Sequence, residues 1–359
     1  MNITVRNPQL TAELRLLSKI VATKPTIPVL SYVLVEAGEW GLRLSATDME
    51  IALVTACPAN VHETGTTTLP AKKLLELLDQ LPDAEINLAL DGEQVRVTVG
   101  TFRSRILTLP AKDFITVPAV NGDSAVIPAT NLRLLIERTQ YAISEKVQKY
   151  VLDGALLSMT GDVAAMVATD GKRLSVATTS RPAGTDRQVL VPSKTLDALI
   201  PLCEAGDVEI SFSDRHIFFV SGQRTLVSRM LEGQFPKYDR IIPRDSNKKI
   251  VVDRNVAATA LRRMCVVSDD ERSVYFECSP DGLHLTSRSA GLGDADELVP
   301  ATEHSGDPVK VCANGRHVLD FLERATERTV TLQFKEATTP ILLTDGSDFL
   351  NVVLTRRSS

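Results

Sequence analysis

Three stretches of this sequence open on similar words, and positions 70, 192 and 314 stand 122 residues apart. Pro70 opens PAKKLLELL, Pro192 opens PSKTLDALI, and Asn314 opens the looser NGRHVLDFL. Leu10 in PQLTAELRLLSKIV maps to Leu132 in TNLRLLIERTQYAI at the same step, and Thr47-Asp48 maps to Thr169-Asp170. NVAATALRRMCVV, from Asn255, supplies the third copy with a small offset. The period is far longer than the roughly 20–50 residues of a repeat that leans on its neighbours. It is the size of a domain with its own core. The 359 residues therefore read as three similar domains at 1–121, 122–245 and 246–359. The breaks lie in polar, turn-forming segments, Val120–Ser124 and Pro243–Lys249.

Each repeat reads as two half-units, a helix followed by several short strands. Leu10, Leu14, Leu17 and Val21 give the apolar stripe of a helix over Gln9–Val21. A second helix begins near Ala71, with Leu74, Leu75, Leu77 and Leu78 apolar. Gln94–Val99 alternates apolar with polar, as a half-buried strand does. DVEISF, IFFVSG, VTLQF and PILLT read as further strands. Asp91-Gly92, Asp281-Gly282 and Asp345-Gly346 mark hairpin turns. The class is α+β, with antiparallel sheets and two helices per repeat.

No apolar run is long enough for a membrane helix, and MNITVRNPQL lacks the basic start and apolar core of a signal peptide. The five cysteines are scattered and never spaced C-x-x-C, which argues against a disulfide framework or zinc site. A reduced, cytoplasmic setting is expected. A net charge of −5 does not by itself suggest nucleic acid. The helices do: Arg15, Lys19, Lys72, Lys73, Arg133, Arg138, Lys194, Arg262, Arg263, Arg316 and Arg324 bias their polar faces toward base. Glu13, Glu76 and Glu137 intrude, and a solvated face with i,i+4 pairs is the plainer reading of any one helix. Recurrence at Lys72 or Lys73, Lys194 and Arg316 favours a repeated surface that meets phosphates without reading bases.

Five segments then resemble a known family. KPTIPVLSYVLVE (Lys24–Glu36), TLPAKDF (Thr108–Phe114), KYVLDGALL (Lys149–Leu157), VATDGKRLSVA (Val167–Ala177) and LEGQFPKYDRIIP (Leu231–Pro243) are similar, in order and spacing, to stretches of the bacterial β sliding clamps. These are the processivity subunits of DNA polymerase III. The resemblance spans all three repeats. It implies a fold of three clamp domains, with sheets outside and helices lining a ring. Two protomers meet head to tail around duplex DNA, and no cofactor or metal is implied. Expected partners are double-stranded DNA without sequence preference, a second copy of the chain, the polymerase III catalytic subunit, the clamp loader and other clamp-binding-motif proteins; no membrane is expected.

The resemblance also implies sites. The partner-peptide pocket maps to Leu152, Thr169, Gly171, Lys172, Arg173, Leu174 and Pro243, with Val352, Val353, Leu354 and Arg357 at the C-terminus. Lys24, Lys149 and Tyr150 map to loops that touch DNA; Lys72, Lys73 and Lys194 join them from the helix faces. The dimer interface sets Arg103, Arg105 and Ile106 on an edge strand against Val266, Val267, Asp269 and Asp270, with a slip of one or two residues allowed. Two departures bear on partner choice. Lys172 stands where many members carry His, and VVLTRRSS replaces the usual M-P-x-R ending, as a specialised or second-copy clamp would tolerate.

No catalytic set emerges. The five histidines lack H-E-x-x-H or a paired metal spacing. GLGDADE (Gly291–Glu297) reads as a solvated acidic loop. The rival to a non-catalytic clamp is a three-domain interaction scaffold that no longer encircles DNA.

Overall fold

The computed structural model describes residues 1–23, 25–144, 153–182 and 184–356. It divides into two compact units. The first comprises Met1–Leu132, Pro182–Thr185 and Lys194–Met230; the second comprises Arg133–Arg181, Asp186–Ser193 and Leu231–Ser359. Among the described residues there are six α-helices: α1 Asn7–Ile20, α2 Ala71–Leu78, α3 Ala129–Thr139, α4 Ser193–Leu199, α5 Arg254–Val267 and α6 Gly315–Leu322.

Helix α1 forms where the 3.6-residue period of Leu10, Leu14 and Leu17 meets a proline in its first turn, and all three leucines are buried. Asn7 ties its start to the end of α2. Its Nδ2 donates to the carbonyls of Leu78, Leu81 and Pro82, each at 3.0 Å, and so satisfies acceptors that the end of α2 leaves open. Helix α5 starts on Asp253, whose carboxylate accepts from the N–H groups of Asn255 and Val256. Asn314 accepts from Arg316 N–H at the start of α6. The hairpins at Asp91-Gly92 and Asp345-Gly346 turn on glycines at φ 64° and 63°.

The first unit holds two antiparallel sheets. One has five strands, in the order Asn60–Glu63, Asn2–Arg6, Glu85–Asp91, Gln94–Val99, Phe102–Leu107. The other has eight, and it crosses a repeat boundary: Arg224–Arg229 of repeat two pairs with Ile51–Cys57 of repeat one, Val227 opposite Ala52. The second unit follows the same plan. Its nine-stranded sheet joins Arg173–Ser180 of repeat two to Phe349–Val353 of repeat three, Leu174 opposite Val352. Its five-stranded sheet runs Gly293–Val299, Gly282–Ser289, Ser273–Ser279, Val309–Asn314, Thr355–Arg356.

Two sequence expectations change. Arg138 is not on a polar helix face but only 3% exposed, inside the second unit. GLGDADE is not a loop throughout: from Gly293 onward it belongs to an edge strand paired with Gly282–Ser289. The first is an effect of partners some 210 residues away, which local pattern does not carry, whereas the strand from Gly293 pairs with the one just before it in sequence.

Candidate docking face and open strand edges

The turn Thr169–Arg173 shapes the predicted pocket. Thr169 Oγ1 donates to Arg173 O and accepts from Gly171 N–H; Asp170 Oδ1 accepts from Lys172 and Arg173 N–H at 2.8 and 2.9 Å. Repeat one makes the same four bonds with Thr47, Asp48, Met49, Glu50 and Ile51. Gly171 sits at φ 83° and Met49 at φ 78°, so the motif demands a left-handed residue that repeat one fills at a cost of about 1 kcal/mol. Gly171 and Lys172 are exposed, and Thr169 is buried.

Beyond the turn the predicted residues part. Leu174 and Val352 lie on one face of the nine-stranded sheet, in a cluster with Leu156, Val167, Val176, Leu190 and Leu342. Leu231, Phe235, Tyr238 and Ile242, from the segment before Pro243, pack against that cluster. Arg173 and Val353 oppose each other one residue along, so the strand's two-residue period turns them to the opposite face. There Arg173 is held by Asp170 Oδ2 (3.0 Å), Asp320 Oδ2 on α6 (2.6 Å) and the carbonyl of Tyr141. Its guanidinium and that of Arg324 stack on the Tyr141 ring at 5.1 and 4.4 Å. Burial pushes the Tyr141 hydroxyl up to about 12, and it bonds Ser175 and Asn351. Arg173 thus braces the turn from behind the apolar face. Leu152 and Arg357 lie outside the described residues. Phe235, Tyr238 and Leu342 were missed in the sequence; FPKY, with two aromatics beside a proline, was the available signal.

Among the edge strands of the described residues, two occupy the places that are joined between repeats elsewhere in the chain. Phe102–Leu107 ends the first unit's five-stranded sheet, with Arg103, Arg105 and a 65% exposed Leu107 along it. Gly293–Val299 ends the second unit's five-stranded sheet, with Asp294, Asp296, Glu297 and a 50% exposed Leu298. Phe102–Leu107 lies 122 residues before Arg224–Arg229, whose edge is already joined to Ile51–Cys57 within the chain.

Models for the N-terminal, central and C-terminal domains of the DNA polymerase III β subunit match residues 1–118, 126–237 and 239–354. The chain belongs to the β sliding clamp family. It is 31% identical to a β sliding clamp of Pseudomonas putida, over 97% of each chain. With that of Caulobacter vibrioides it shares 32%, again over 97% of each. The crystal structure of a polymerase III β-subunit clamp from Pseudomonas aeruginosa superposes with a TM-score of 0.95 at 30% identity, covering all of both chains. Three clamp domains, antiparallel sheets and six helices are the family's architecture, and its members are non-catalytic processivity factors.

In this clamp most helix-face cations already have acidic partners. Arg15 pairs with Asp79 (2.7 Å), Lys73 with Glu76 (2.6 Å), Arg133 with Glu137 (2.8 Å) and Arg316 with Asp320 (2.8 Å). Lys72 Nζ donates to Thr23 Oγ1 at 2.8 Å. Lys194 is gripped by Asp48 and by Glu50 (2.9 Å), which cancels much of its field. Lys24, Lys149 and Tyr150 lie outside the described residues. Among the described residues, no helix is long and apolar enough to cross a membrane.

The clamp's altered ending is built into the fold. Leu354 N–H donates to Lys172 O at 3.0 Å, Thr355–Arg356 pairs with Val309–Asn314, and Arg356 NH1 donates to Ser273 Oγ at 3.2 Å and to Glu271. His317 on α6 lies close by. Burial, then the nearby Arg173 charge, pushes its imidazole down to about 4, with Asp170 and Asp320 opposing and Arg356 assisting. Between roughly pH 6.5 and 4 the unfolded chain takes up a proton that the folded chain refuses. The contribution is therefore full above pH 6.5 and is lost as pH falls through this window. Urea titrations across that range should show stability dropping with acid, and His317→Gln should flatten the slope. An unchanged slope would mean that His317 is not the group responsible.

Proposed function

We infer that this chain is a DNA sliding clamp that closes as a head-to-tail pair around duplex DNA and holds a polymerase on its template. The carrying observation is the count of like edges. Two junctions between repeats are made inside the chain by antiparallel strand pairing, and one matching edge at each end is left open. The open edges are complementary: Arg103 and Arg105 stand two apart on one, Asp294 and Asp296 two apart on the other. A second copy joins each edge to its opposite and closes the ring. This reading moves the acidic side of the contact from Asp269 and Asp270 to the strand Gly293–Val299. Val266, 73% exposed at the end of α5, and Val267 remain candidates beside it.

The three domains of the reading are 1–121, 122–245 and 246–359. A ring holds by topology, so Lys72 and Lys73 need only diffuse phosphate contacts, and the clamp slides without reading sequence. The apolar face around Leu174 and Val352, edged by the Leu231–Pro243 segment, suits a short linear peptide. Such peptides would come from the polymerase III catalytic subunit, the clamp loader and other clamp-binding proteins. Tethering through them raises the polymerase's local concentration on DNA.

The test joins mass to topology. Sedimentation equilibrium should give a dimer of the 39.1 kDa chain. The clamp loaded on a nicked circle should stay bound in high salt and slide off once the circle is cut. A persistent monomer, or equal loss from circle and line, would overturn the ring in favour of a scaffold.

A further inference from the structure

A polar groove of about 560 Å³ lies at the end of the docking face, lined by Lys172, Arg288, His317, Leu354 and Arg356 among others. Leu174 and Val352 stand two residues back from Lys172 and Leu354 on their strands, a distance of about 7 Å. An extended peptide seated on the apolar face therefore runs into the groove within two or three residues. We propose that the groove takes an acidic flank of the partner peptide, with Lys172 and Arg288 as the cations that select it. This rests on the docking face proposed above.

The charges in the groove are unevenly committed. Arg356 and Glu271 neutralise each other. Asp269 Oδ1 is engaged by Ser273 N–H at 2.8 Å. His317 is neutral near pH 7 because its proton affinity is depressed. Lys172 and Arg288 are exposed, and among the described residues neither side chain has an ion-pair partner. That leaves two open cations facing one carboxylate. In a half-enclosed groove their field is less screened than on an open surface, so it attracts a carboxylate and repels a basic flank.

The experiment uses the full chain and two fluorescein-labelled eight-residue peptides. They share a Leu-Phe core that fills the apolar face; one is flanked by two Asp, the other by two Lys. Fluorescence anisotropy at low salt should show the Asp-flanked peptide binding about fivefold tighter, as two partly exposed charge pairs allow, and the gap should shrink as salt rises. Lys172→Glu with Arg288→Glu, both at exposed positions, should reverse the order. Equal affinities, or a preference that survives the double reversal, would overturn the groove's role while the docking face stands. Binding of neither peptide would remove the docking face, and the selection with it.

Discussion

Reversing Arg103 and Arg105 to Glu is expected to turn the closed dimer into monomers. Both side chains are exposed on an edge strand, so the change leaves the fold of the first unit intact. In a head-to-tail ring each substitution acts at two interfaces. Setting like charges against Asp294 and Asp296 costs several kcal/mol, which weakens association by roughly 100-fold or more. Sedimentation at micromolar concentration should report 39.1 kDa, and retention on circular DNA should vanish. The decisive control adds Asp294→Arg and Asp296→Arg to the same chain. If edges of opposite charge are what meet, the fourfold variant regains the dimer. A double variant that still dimerises would place the interface elsewhere.

Arg138→Ala should produce the largest loss of stability of any single change considered. Its guanidinium is buried, bonds Asp348 Oδ2 and Thr326 Oγ1 at 2.9 Å each, and lies 3.5 Å from Asp345 Oδ2. Its other side lies on the Phe349 ring at 5.0 Å. Asp345, wholly buried, also accepts from the N–H groups of Thr326 and Glu327. Removing the arginine strands that carboxylate in a low-dielectric site, at a cost of about 3–5 kcal/mol. Urea denaturation should show the midpoint falling accordingly. Arg138→Lys should rescue little, because a single ammonium cannot reproduce a fork that reaches Asp348 and Thr326 at once. A loss below about 1 kcal/mol, the range of exposed pairs, would mean that the cluster is better hydrated than its burial implies.

Much of the fold was legible in the chain because it is locally encoded. The apolar stripe of α1 follows from Leu10, Leu14 and Leu17, the hairpins from Asp-Gly pairs, and the presence of three clamp domains from the 122-residue step. The duplicated turn at Thr47-Asp48 and Thr169-Asp170 was legible as a word, and its four shared bonds are what the word encodes. The candidate site was only half legible. Leu174 and Val352 share one apolar face of the sheet, whereas Arg173 and Val353, their immediate neighbours, face the other way. Arg138 read as a surface cation because its partners, Asp345 and Asp348, lie some 210 residues away.

What the sequence by itself determined was the threefold repeat, the helices and hairpins that local pattern marks, and the family. What only the tertiary structure decided was which strand edges are joined and which stay open. Arg224–Arg229 and Phe102–Leu107 are like strands at equivalent places, yet one is paired inside the chain and the other is free. Pairing is made by backbone groups that every residue carries, so it depends on which strand reaches that edge in space, and no local pattern of side chains records it.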